Sequence, residues 1–329
     1  MFTPTRTNLT WLTMLLVVVL AGCGSNGGSG SSEEPPPAPT LQSGLVQTGS
    51  IFRSYTFYLP SSISDDDPLP LVLAFHGILG SGEKFAAQTN LTEQAERDGF
   101  VAVFPDSATR EVWNDGRLPD STIDDVAFVR TLVADLSGQY PIDTDRIFAT
   151  GASSGGLFSH RLACEAADIL TATAPVIASM PADFVSRCQP ARPMPMLMIN
   201  SDEDPFVPFW GGPLLQGDGG EYEGIVSGSG FVMSVFDTVD FWREFNGCSN
   251  NRVDELLPEI DEDDGTRVRR VHYPDCSESS EVVLYLIEGG GHTWPGSLVP
   301  PASPYAGLTS REISASEVVW EFFQGHRLP

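Results

Sequence analysis

The chain is 329 residues long, 41% hydrophobic and 10% aromatic, enough apolar material for a large core in one domain once a leader is set aside. Its 44 acidic against 18 basic residues give a net charge of −26, which argues against nucleic acid as a partner because neutralising phosphates takes basic patches. Lys84 is the only lysine, and arginine carries the remaining positive charge.

The N-terminus reads as an export signal: Arg6 precedes an apolar run from Trp11 to Leu20, too short to span a bilayer comfortably, and the run ends in Leu20-Ala21-Gly22-Cys23. Small residues before a cysteine resemble the bacterial lipobox, so residues 1–22 are expected to be a lipoprotein signal peptide and Cys23 the lipidated anchor. Glycine, serine and proline fill residues 23–47, which read as a flexible tether. Residues 48–329 are the expected catalytic domain, exported and either held at the outer membrane or cell surface or released outside, and monomeric.

Within that domain Ile51–Leu59 alternates as a half-buried strand, and Leu71–Phe75 is a continuous apolar run, the mark of a strand covered on both faces. A helix over Phe85–Arg97 and a strand over Phe100–Phe104 follow, then a helix over Thr122–Tyr140 and a strand over Arg146–Thr150. A helix from residue 154 and strands at Ala172–Ala178 and Met196–Asn200 continue the alternation. Gly211–Gly230 reads as a surface loop bordering the site, Val232–Phe245 as a helix, Asn250–Gly265 as irregular and acidic, and Glu281–Ile287 as a strand. Ser310–Gln324 closes the chain as a helix that Gly325 stops. Alternating strands and helices predict an α/β fold with a mainly parallel, doubly wound sheet flanked by helices.

With Cys23 assigned to lipid, Cys164, Cys188, Cys248 and Cys276 remain, an even set with three possible pairings. Pairing Cys164 with Cys188 and Cys248 with Cys276 closes the shortest loops. No cysteine or histidine spacing suggests zinc, and no metal or organic cofactor is expected.

The chemistry centres on Gly151-Ala152-Ser153-Ser154-Gly155, a G-x-S-x-G pattern between a strand and a helix with almost no loop. Such a sharp turn holds its serine strained and exposed at the strand's carboxyl end, where a nucleophile belongs. A base and an acid should follow later strands. His292, in the glycine-rich loop after Glu281–Ile287, is the best base, whereas His160, His272 and His326 read as structural. Asp202, Glu203 and Asp204 all follow Met196–Asn200, and position alone leaves the acid open among them. Backbone N–H groups of Ile78 and Ser154 are the expected oxyanion donors, with His76 in a local structural role. Trp294, Trp210 and Phe209 are candidates for a substrate-binding wall; Trp113 is expected in the core.

Together these residues resemble the α/β-hydrolase esterases that include polyhydroxybutyrate depolymerases and the feruloyl and acetyl-xylan esterases of the first carbohydrate esterase family. The resemblance rests on His76-Gly77, Phe104-Pro105-Asp106, Trp113 to Arg117, Asp124-Asp125-Val126, Gly151 to Gly156, Arg161 to Glu165, Asp204 to Gly212 and Gly290 to Gly296, and it covers nearly all of residues 50–325. It implies Ser153 as nucleophile, His292 as base and Asp204, from D-x-x-V-P, as acid. It also implies a disulfide between Cys248 and Cys276. Ser154 stands where the family often has asparagine, and Asn200-Ser201 replaces His-Gly. The expected activity is hydrolysis of hydroxyalkanoate, feruloyl or acetyl esters through an acyl-enzyme; a serine peptidase on the same fold and a non-catalytic carbohydrate-binding lipoprotein are the alternatives.

Overall fold

A computed structural model describes residues 40–109, 112–117, 121–214, 230–301 and 303–329. The expected signal peptide, the lipidated Cys23 and the tether as far as residue 39 lie outside them, as does most of the Gly211–Gly230 loop.

The first strands are β1 (Gln42–Thr48), β2 (Ile51–Tyr58) and β3 (Leu69–Phe75), then come α1 (Gly82–Thr89), α2 (Leu91–Asp98) and β4 (Val101–Pro105). α3 (Asp125–Gln139), β5 (Ile142–Ala152), α4 (Ser154–Glu165), β6 (Ala172–Val176) and β7 (Met196–Ser201) follow. After a small hairpin of β8 (Gly212–Pro213) and β9 (Phe231–Val232), the chain forms α5 (Val235–Phe245), β10 (Val253–Leu256), β11 (Arg267–Tyr273), β12 (Val282–Glu288) and α6 (Ala315–Gln324).

Ten strands form one sheet in the order β1-β2-β4-β3-β5-β6-β7-β12-β11-β10. The six from β4 to β12 run parallel, and antiparallel pairs extend both edges. Every residue of β3 is buried, as its unbroken apolar run requires. Side chains alternate across the sheet: Leu71, Leu73 and Phe75 pack with α3, α4 and α5, while Val72 and Ala74 pack with α1, α2 and α6. The chain winds from β3 to β4 on one side, then crosses to β5 on the other. This reversal opens a crevice at the carboxyl ends of β3 and β5, where doubly wound sheets bind ligands.

Four expectations need correction. The tether does not extend to residue 47, because Gln42–Thr48 pairs residue for residue with Ile51–Phe57, and the hairpin satisfies backbone groups that a free tether would leave to water. The single helix over Phe85–Arg97 is two, broken at Asn90, whose φ of 55° is left-handed and suits asparagine. The acidic segment after Asn250 contains β10, and β11 follows it. β11 escaped notice because Arg267, Arg269 and Arg270 interrupt any alternation, and only its seven-residue pairing with β12 makes it a strand. The last helix starts at Ala315, where the Ser314 hydroxyl accepts the Glu317 N–H, and not at Ser310.

The two disulfides join Cys164 to Cys188 and Cys248 to Cys276, as the short loops suggested.

Candidate active site

Phe75 and Gly151 are paired neighbours at the ends of β3 and β5, so His76-Gly77-Ile78 and Ala152-Ser153 emerge side by side. A side chain at Gly155 would run into the Phe75 carbonyl, which is why the helix can start this close to the strand. Ser153 itself sits at φ 56°, ψ −120°, a conformation L-residues avoid and tight elbows impose. Its half-buried side chain opens onto a cavity of about 530 Å³.

β7 and β12 are likewise adjacent, with Ser201 opposite Ile287, so the loops after them meet. The three acids in the first loop separate by geometry. Asp202 accepts the Gly289 N–H at 2.7 Å and ties the loops together. Asp204 places Oδ2 2.7 Å from His292 Nδ1, while its Oδ1 accepts the N–H groups of Phe206 and Val207, each at 2.8 Å. Glu203 reaches neither. Asp204 is 3% exposed and His292 13%, so the pair is shielded from water except where the imidazole borders the cavity with Ser153. The Phe206 and His292 rings meet nearly perpendicular, with centroids 5.2 Å apart.

The N–H groups of Ile78 and Ser154 find no acceptor among the described residues, and both residues border the cavity. Ser154 has a second contact, since its hydroxyl accepts the Trp113 N–H at 3.0 Å. Trp113 is core, as expected. It stacks on Phe158 at 5.3 Å, and its indole N–H donates to the His76 carbonyl. His76 is structural: Nδ1 lies 2.7 Å from the Gly77 carbonyl, Nε2 accepts the Ser107 N–H, and burial pushes its pKa down. His160 is fully enclosed against the Trp242 indole N–H, and burial lowers it to about 3. His272 and His326 flank Glu281 at the far end of the sheet.

The expected aromatic wall is mostly elsewhere. Trp294 borders the cavity but is 1% exposed, its indole N–H committed to Ser316 and its face to the edge of Phe85. Phe209 and Trp210 do not line the cavity; they cluster with Phe236. Apolar lining includes Leu79, Val112, Ile177, Phe206, Val207 and Val299. Only Phe206 and Val207 fall in a motif visible in the sequence, because the six lie on five different segments that only the fold converges.

Sequence reading also left roles for the support behind the elbow unassigned. Asp125 is 1% exposed, salt-bridged at 2.7 Å to Arg53, and accepts the Asn114 N–H, fixing the Trp113 segment against Ser154. Arg53 in turn lies 3.9 Å over the Phe128 ring, and burial lowers its pKa despite Asp125. Asp106 joins the Ser54 hydroxyl to the first N–H of α1. The signal was visible as Asp106 and Asp125 beside strand and helix ends, but the partners lie 11 to 72 residues away.

The chain is similar in sequence and fold to known esterases. Residues 53–180 match the family model described as Esterase PHB depolymerase. A putative esterase, NocK, of Nocardia uniformis subsp. tsuyamanensis is 29% identical over 83% of this chain and 79% of its own length. Feruloyl esterase B of Piromyces equi is 29% identical over 73% of this chain, which spans 42% of that longer protein. The solved acetyl xylan esterase from Aspergillus awamori superposes with a TM-score of 0.53 at 13% identity, covering 87% of this chain and 99% of the other, which shows a shared fold.

Proposed function

We propose that the chain is a carboxylic ester hydrolase similar to the α/β-hydrolase group that contains polyhydroxybutyrate depolymerases and feruloyl esterases, and that Ser153, His292 and Asp204 are its catalytic triad. The observation that carries this reading is the Asp204–His292 hydrogen bond, which aims the imidazole into the same cavity as the strained Ser153.

Asp204 holds the proton on Nδ1, which leaves Nε2 as the base and stabilises the imidazolium that forms. His292 takes the Ser153 hydroxyl proton as Oγ attacks the ester carbonyl, and the oxyanion accepts the N–H groups of Ile78 and Ser154. His292 returns the proton to the departing alcohol. Water then repeats the sequence on the acyl-enzyme and releases the acid. No hydrogen bond joins Ser153 to His292 in the free protein, and it forms as substrate enters, as catalytic hydrogen bonds commonly do.

Short hydroxyalkanoate, feruloyl and acetyl esters are the substrates this reading admits. An apolar cavity of about 530 Å³ favours a small acyl group that needs few hydrogen bonds. Cys23 lipidation after export places the enzyme on a membrane, and two disulfides suit the oxidising compartment beyond it.

A fluorophosphonate probe with the mature protein tests the site. Labelling of the wild type, its loss in Ser153→Ala, and turnover of methyl ferulate, acetylated xylan or hydroxybutyrate oligomers are the expected results. A probe that labels Ser153→Ala as well would sink the assignment.

A further inference from the structure

We propose that Lys84 is a specificity determinant that binds a carboxylate on the substrate itself, so that the preferred esters are short hydroxy-acid oligomers whose terminal acid is free. The proposal rests on Ser153 being the nucleophile of the cavity that Lys84 borders.

The chain has 44 acidic residues, yet among the described residues no aspartate or glutamate lies on the cavity wall. Apart from His76 and His292, the ionisable side chains among the described residues there are Lys84 and Arg117. Arg117 is committed, its Nε and Nη2 both bonded to the buried Asp115, at 2.9 and 2.7 Å from Oδ2. Lys84 is not. Among the described residues it is the one cationic side chain with neither an ion pair nor a hydrogen bond from its charged group, and it is exposed at the mouth of the site.

Helix stability does not account for it. Lys84 lies in the first turn of α1, where its backbone N–H caps on Ser81, and a cation there faces the positive end of the helix dipole. Solubility does not account for it either, in a chain of net charge −26 that uses arginine everywhere else. That net charge repels an anionic substrate at long range. A cavity whose described lining holds no carboxylate and one unpaired ammonium reverses the sign locally and focuses the field where it is needed.

Much of the remaining wall is apolar, and Leu79, Val112, Ile177, Phe206 and Val207 offer contact to an aliphatic chain. Water adds across one internal ester: Ser153 Oγ takes the acyl part, the hydroxyl part leaves with the proton from His292, and deacylation yields two hydroxy acids.

The test compares a hydroxybutyrate trimer as the free acid with the same trimer whose terminal acid is a primary amide. The readout is the ratio of kcat/KM, acid over amide, measured within each of the wild type, Lys84→Met, Lys84→Arg and Lys84→Glu, so that a general change in turnover cancels. The wild type should favour the acid about fivefold, the scale of a partly exposed ion pair, mainly through KM and less so at high salt. Lys84→Arg should keep the preference, Lys84→Met bring the ratio to about one and Lys84→Glu invert it. A wild-type ratio near one, or a preference that survives in Lys84→Met, overturns the proposal. Failure of the wild type to hydrolyse any neutral aryl ester, with no fluorophosphonate label on Ser153, would overturn the nucleophile assignment instead and the proposal with it.

Discussion

At the carboxyl ends of β3, β5, β7 and β12 the cavity wall shows no carboxylate among the described residues, whereas the amino ends of β5 and β12 gather Asp143, Asp145 and Glu281. There Asp143 meets Arg146 and Arg327, Asp145 meets Arg327, and Glu281 sits between His272 and His326. The difference follows from what each end does. On the proposed assignment, a carboxylate beside the reacting carbonyl would oppose the negative charge that develops on its oxygen, and the one acid that assignment needs, Asp204, is buried behind His292. The opposite end ties the residues after α6 to the sheet, and solvated ion pairs suffice for that.

Breaking the reacting end should cost activity without stability. Ser153→Ala should lower kcat by about 10⁶-fold. Its side chain makes no hydrogen bond to the described residues, so the urea midpoint should stay where it is, and a large shift would mean that Ser153 is structural.

The support behind the elbow should show both effects. Asp125→Ala leaves the buried Arg53 guanidinium unpaired and should destabilise by about 3–5 kcal/mol. It also frees the Asn114 N–H, loosening the Trp113 segment that holds Ser154. Denaturant unfolding together with ester turnover checks whether the two losses appear together.

The amino end should respond to pH alone. Burial would raise the Glu281 carboxyl, but the hydrogen bonds from His272 and then His326 outweigh it and hold the group down at about 2. Because the folded pKa lies below the ordinary 4.5, Glu281 contributes stability that is present above about pH 4.5 and lost as pH falls toward 2. Glu281→Gln should therefore be less stable than the wild type at neutral pH, with the gap closing on acidification, while turnover of neutral esters is unaffected. Urea melts at pH 7, 4 and 3 read this directly. The smallest effect belongs to Arg327→Ala, under about 1 kcal/mol and smaller still in high salt, since the residue is 56% exposed.

Much of the frame was legible in the chain because its signals are local. An unbroken apolar run makes β3 a doubly covered strand, the glycines around Ser153 allow only a tight elbow, and helical spacing of Val126, Val129, Leu132, Val133 and Leu136 marks α3. Strands β1 and β11 were not legible, since their strand character is conferred by pairing and not by pattern.

Residue order alone determined that an elbow serine exists, that later loops carry acids and a histidine, and that helices alternate with parallel strands, because turn sterics and hydrophobic period act over a few residues. Residue position left the acid open and only the D-x-x-V-P resemblance pointed to Asp204; the tertiary structure gives the physical reason, separating Asp204 from Asp202 by one hydrogen bond each. It also decided which side chains line the cavity, moving Phe209 and Trp210 off it and bringing Lys84 onto it. Those outcomes depend on the register of β7 against β12 and on how α1 packs, and contacts between residues 88 positions apart leave no trace in either neighbourhood of the sequence.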